Sequence, residues 1–129
     1  MRVVAVFVGG TLGTLARWGV GHVVPVSGVG FPVGTFGANV SGAFALGLVG
    51  VLLLERLRPA RHVRLLLGVG FLGAYTTFST MAVEGVRLVE AGSWRMAAGY
   101  WIATLVAGQM AGVYGMWLGR LRPRRRGRA

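Results

Sequence analysis

The sequence predicts an all-α membrane protein of four transmembrane helices, and three observations carry that reading. Hydrophobic residues fill 54% of the 129 positions and charged residues only 13%, more apolar surface than a soluble domain of this length can bury. Four apolar stretches each reach the roughly 20 residues that a helix needs to cross the hydrocarbon core. Arginines and prolines, which face water or end helices, fall mostly between and after those stretches.

The length leaves room for one domain, residues 1–129. Its first span is Val3 to Val24, an apolar run too long for the core of a cleavable signal peptide and therefore expected to stay as a span. The segment Pro25 to Pro32 holds two prolines and two glycines, which a helix cannot continue through. The second span is Val33 to Leu54, followed by a connection marked by Arg56, Arg58, Pro59 and Arg61. The third, Val63 to Val89, is expected to break near its middle. Gly92-Ser93-Trp94-Arg95 then leads to the fourth, Met96 to Gly119, with Trp94 placed as an interfacial anchor.

The net charge is +11, but the arginines cluster at span ends instead of interleaving with a polar surface, so a nucleic-acid partner is not expected. Eleven of them fall at the N-terminus, in the second connection and in the tail 120–129, against Arg87 and Arg95 on the other side. The positive-inside rule then places both termini in the cytoplasm of a multi-pass plasma-membrane protein. The tail Arg122 to Arg128 reads as an anchor to anionic membrane lipid. There is no cysteine, lysine or aspartate, and no catalytic triad, phosphate loop or carboxylate pair, so an enzyme is not expected. His22 and His62 stand apart at span ends and read as interfacial residues.

Small residues recur every fourth position in two spans: Gly34, Ala38 and Gly42 in the second, and Gly99, Ala103, Ala107, Ala111, Gly115 and Gly119 in the fourth. Such ladders let helix backbones approach closely.

Chemistry concentrates in Gly70 to Thr80, where two further glycines' worth of flexibility and a run of hydroxyls sit at mid-span. A break there frees backbone groups that lipid cannot satisfy, so it must face protein, water or an ion. Carbonyls freed at Gly73 to Thr76 suit a hard cation, and the hydroxyls of Thr77, Ser79 and Thr80 suit an anion. The alternative is a continuous helix whose hydroxyls bond back to the preceding turn. Asn39 and Gln109 are the only amides in their spans, where an amide either links helices or donates to an anion without trapping it. Tyr100 and Thr104 share a face at a spacing of four, continued by Gly108. Arg17 and Glu84 are charges within or near spans; Arg17 either snorkels or acts, and Glu84 either pairs with Arg87 or acts.

Gly9 to Trp18, Pro32 to Gly42, and Gly70 to Thr80 followed by Glu84 resemble, in order and spacing, the three sequence blocks of the Fluc (CrcB) family of fluoride channels. The resemblance spans all four helices. It implies passive export of fluoride through an antiparallel dimer with two pores and a structural, non-transported sodium ion at its centre. Backbone carbonyls of Gly73 and Thr76 would hold the sodium; Asn39 and Phe78 match pore-lining positions, with Ser79 and Thr80 beside them. Tyr100 and Thr104 match a polar track, and Glu84 an acidic position near one pore end. Where the family usually has a second phenylalanine, this sequence has Met81, and Gly108 stands where the track more often carries a hydroxyl.

Homodimeric members of that family have nearly balanced flanking charge and insert both ways. The eleven-to-two bias here implies one fixed orientation, and hence a related partner inserted the other way round. Two other readings remain at this level. A small multidrug exporter also has four short spans, but needs a carboxylate in its first span, where this sequence offers Arg17. A non-transporting assembly subunit follows if Met81 and Gly108 close both pores.

Overall fold

The structure, a computed structural model, describes residues 1–24 and 29–121. Residues 25–28 of the first connection and the arginines of the tail beyond Leu121 lie outside the described residues. Four helical spans, Arg2–Val23, Val33–Arg56, Arg61–Glu90 and Trp94–Leu121, are long and apolar enough to cross a membrane, and no strand occurs among the described residues.

The first span is one helix, α1 (Arg2–Val23). The second is α2 (Val33–Val51), which widens into a π-helical turn over Leu52–Arg56, where the Leu57 N–H reaches back five residues to the Leu52 carbonyl at 2.7 Å. The third is composite: α3 (Arg61–Arg64), a π-helical stretch Leu65–Leu72, a single turn α4 (Gly73–Tyr75), a break, and α5 (Phe78–Glu90). The fourth is α6 (Trp94–Leu121).

Between α5 and α6 the chain turns on Gly92, whose φ of 76° is the left-handed conformation that favours glycine. The Gly92 N–H donates to the Val89 carbonyl at 2.9 Å and the Ser93 N–H to the Leu88 carbonyl at 2.8 Å. This is a Schellman closure that satisfies the last carbonyls of α5.

Two backbone contacts hold the bundle. Ala5, Gly9 and Gly13 form the buried stripe of α1, and it lies on the π-helical stretch: a Cβ at Gly9 would strike the Leu66 carbonyl, and one at Gly13 the Phe71 carbonyl. Helices α2 and α6 meet in the same way, with Gly47 against the Gly112 carbonyl and Gly115 against the Phe44 carbonyl. Lipid tails are as apolar as leucine, so close van der Waals contact between backbones is what holds such helices together. Within the fourth-span ladder, Gly115 and Gly119 lie against α2 in this way. A Cβ at Gly99 or Gly108 would meet no atom within 4 Å.

A cluster of Met81, Leu88, Ala97 and Tyr100, packed by Phe31, Phe36 and Trp101, joins α5 to α6 beside the break. Phe7, Trp18, Ile102 and Trp117 remain exposed on the outer faces, as expected where lipid is the solvent.

Candidate functional site

The third span breaks at Thr76 and Thr77, which are both extended (φ/ψ of −79°/153° and −148°/125°). The sequence places the interruption at Gly73 to Thr76; in the structure Gly73–Tyr75 still forms a turn and the chain opens after it. The reason is the partner of Thr77. Its N–H donates to Asn39 Oδ1 at 2.8 Å, and Asn39 Nδ2 donates to its carbonyl at 2.9 Å. One side-chain amide from α2 thus satisfies both backbone groups of a residue that no helix can serve, as membrane depth requires.

The restart of the helix is also capped. Thr77 Oγ1 accepts from the Thr80 N–H at 3.2 Å, making Thr77 the N-cap of α5. Thr77 Oγ1 also lies 3.1 Å from Thr80 Oγ1 and 3.3 Å from Ser79 Oγ, and Arg17 Nη1 donates to Thr80 Oγ1 at 3.3 Å. So Arg17 does not merely snorkel: it reaches the start of α5, where the helix dipole already favours negative charge. Its Nε is buried and makes no hydrogen bond among the described residues.

These diversions bear on two carbonyls. In a continuous helix the Thr77 N–H would serve the Gly73 carbonyl and the Thr80 N–H the Thr76 carbonyl. Asn39 takes the first donor and the Thr77 hydroxyl takes the second. The break likewise parts the Ala74 and Tyr75 carbonyls from the Phe78 and Ser79 N–H groups, so all four carbonyls from Gly73 to Thr76 lack their regular helical donors, the pair expected to hold a cation among them.

A groove of about 420 Å3 runs along the break, lined by Asn39, Thr76, Phe78, Met81, Thr104 and Gly108 among others. Phe78 is 74% exposed and Met81 is buried at its edge. Thr104 donates its hydroxyl to the Tyr100 carbonyl one turn back, at 2.7 Å.

Tyr100 and Glu84 form a separate knot. The Tyr100 hydroxyl donates to Glu84 Oε2 at 2.7 Å and the Thr35 hydroxyl to Glu84 Oε1 at 2.8 Å. Glu84 therefore bonds to α2 and α6 through neutral donors and makes no ion pair with Arg87 among the described residues. Sequence reasoning missed Thr35. A signal for it existed, because Thr35 lies four residues before Asn39 and so on the same face of α2.

Of the expected residues, the structure gathers Asn39, Thr76, Phe78, Met81 and Thr104 on the groove. Ser79 and Thr80 join the hydroxyl cluster at the start of α5, and Glu84 with Tyr100 forms the carboxylate knot. No group of three or more histidine, cysteine, aspartate or glutamate side chains able to hold a metal occurs among the described residues. Any cation here would depend on backbone oxygen, the ligand type that suits a hard ion.

Fold and site define a polytopic four-helix membrane protein whose interrupted third span borders a groove. The chain belongs to the CrcB-like protein, Camphor Resistance (CrcB) family, whose model matches residues 4–116. Among its relatives, fluoride-specific ion channel FluC 3 of Streptomyces avermitilis is 45% identical over 95% of this chain and 60% of its own length. Fluoride-specific ion channel FluC 1 of Mycolicibacterium paratuberculosis is 44% identical over 83% of this chain and 81% of its own. Fluoride-specific ion channel FluC of Hydrogenobaculum sp. is 40% identical over 94% of this chain and 99% of its own. The chain thus spans about three fifths of the Streptomyces relative and nearly all of the Hydrogenobaculum one.

Proposed function

We propose that this chain is a subunit of a fluoride channel that lets fluoride leave the cytoplasm passively and so limits its toxicity. The observation that carries the reading is the grip of Asn39 on Thr77, which opens the third span beside a groove. Fluoride is small and strongly hydrated, so a selective path must replace its water with donors. Asn39 Nδ2 spends one of its two N–H groups on Thr77 and keeps a second for a passing ion. The Phe78 ring contributes its electropositive edge, and the start of α5 with Arg17 supplies a favourable field. Neutral donors bind without the permanent charge that would trap the ion.

A structural sodium ion fits the Gly73 and Thr76 carbonyls, since the donors that would otherwise occupy them are engaged elsewhere. Bound there, it would supply a fixed positive charge close to the path. The assembly is an antiparallel dimer, and the arginine bias favours a related partner inserted in the opposite sense, with both termini of this chain in the cytoplasm. Nothing in the spans couples transport to a second solute, so the ion moves down its own gradient.

The test is fluoride efflux from proteoliposomes holding this chain alone, with sodium present or replaced, and chloride as control. Sodium-dependent, fluoride-selective efflux supports the channel and removes the need for a partner. Efflux that appears only when an oppositely oriented relative is added supports the mixed dimer. Silence in both arms rejects the channel reading in favour of a non-transporting subunit.

A further inference from the structure

A second cleft, of about 430 Å3, adjoins the groove at the break through Leu46 and runs away from it. It opens between the end of the second span and the start of the third, with walls of Leu46, Leu53, Leu65 and Val69. Its depth comes from Gly50 and Gly68, where an added Cβ would meet no atom within 4 Å. Arg61 and Arg64 complete the lining. Neither makes an ion pair among the described residues, and Arg64 Nε is buried without a hydrogen bond. The nearby carboxylate of Glu55 is engaged by Arg120 at 3.0 Å.

We infer that this cleft binds an anionic phospholipid, its phosphate held by Arg61 and Arg64 and one acyl chain lying along the leucine and valine walls. Arg61 opens the third span, so the two guanidiniums stand at the depth where lipid phosphates lie. A guanidinium presents its N–H donors as a fork that matches two phosphate oxygens, and neither Arg61 nor Arg64 has a carboxylate partner among the described residues. A free phosphate would leave the apolar length of the cleft unfilled. An apolar helix from a second copy would fill it but leave the arginines unanswered.

The experiment is native mass spectrometry of the full chain extracted from vesicles of equimolar phosphatidylglycerol and phosphatidylcholine with matched acyl chains. The chain should retain phosphatidylglycerol over phosphatidylcholine by roughly tenfold or more, the scale of two interfacial arginines. R61Q/R64Q should reduce that ratio to near one. G50L, placed where an added Cβ meets no atom within 4 Å, should lower retention of both lipids, and added inorganic phosphate should displace neither. Equal retention of the two lipids, an unchanged ratio in R61Q/R64Q, or displacement by phosphate overturns the inference. So does a G50L variant that retains lipid normally but shifts the monomer–dimer balance, which would make the cleft a subunit seam. The G50L arm keeps the test open should the double variant fail to fold.

Discussion

Asn39 and Thr77 are joined by two hydrogen bonds, one in each direction, so that a side chain of α2 stands in for the helical partners of a residue 38 positions later. The relationship turns an interruption that lipid would forbid into a fixed element. It also frees the Gly73 carbonyl from its regular donor while leaving an amide N–H beside the groove. Break, proposed cation site and proposed anion donor thus depend on one amide.

Asn39→Ala should therefore act on fold and function together. It leaves the Thr77 N–H and carbonyl unserved, and each costs about 1–3 kcal/mol when buried. Thermal unfolding in detergent should drop clearly, and fluoride efflux should fall below a tenth of the parent rate. Thr11→Val removes an exposed hydroxyl that bonds back to the Phe7 carbonyl one turn earlier and should stay within about 0.5 kcal/mol. Similar melting for the two variants would show that the clamp does not hold the break.

Thr77→Val tests the cation site without touching a carbonyl. The variant keeps the shape but loses the N-cap oxygen, at about 0.5–2 kcal/mol. The Thr80 N–H then becomes available to the Thr76 carbonyl, where it would compete with the proposed sodium ion. The sodium concentration that half-stabilises the protein in a melting assay should rise about tenfold, equivalent to about 1.4 kcal/mol, and Thr77→Ser should restore it. An unchanged sodium response in Thr77→Val would remove Thr76 from the ligand set.

The knot of Thr35, Glu84 and Tyr100 ties three separate stretches of chain. Tyr100→Phe and Thr35→Val each leave one carboxylate oxygen without its donor, at about 1–3 kcal/mol. Because both act on one carboxylate, a double-mutant cycle of Tyr100→Phe with Glu84→Gln should show coupling above about 0.5 kcal/mol. Strict additivity in unfolding free energy would mean that the hydrogen bond contributes nothing to the fold.

The four spans were legible because bilayer thickness sets a length that apolar runs either meet or miss. The interruption was legible in kind, from glycines and hydroxyls at mid-span, but its place was not. Thr77 opens because Asn39 lies beside it, and that is a tertiary fact. Tyr100 and Thr104 were readable as one face, yet each hydroxyl has a different role. One closes on Glu84 and the other on its own helix, since hydroxyl direction depends on which acceptor a neighbouring helix brings within reach. The π-helical stretches left no readable signal in an apolar run.

The close approach of the fourth span to α2 is local, and glycine-to-alanine substitutions should show where it lies. A Cβ at Gly115 would strike the Phe44 carbonyl of α2, and one at Gly47 the Gly112 carbonyl of α6. Neither carbonyl can move without parting the helices, so Gly115→Ala and Gly47→Ala should each cost about 1–3 kcal/mol by overpacking. Gly99 and Gly108 meet open space. Alanine there should be neutral or stabilise by up to about 1 kcal/mol, because it lowers the backbone freedom lost on forming the helix. Steric trapping or detergent unfolding would measure all four, and Gly99→Ala falling as far as Gly115→Ala would mean that the whole ladder is packed in the assembled protein.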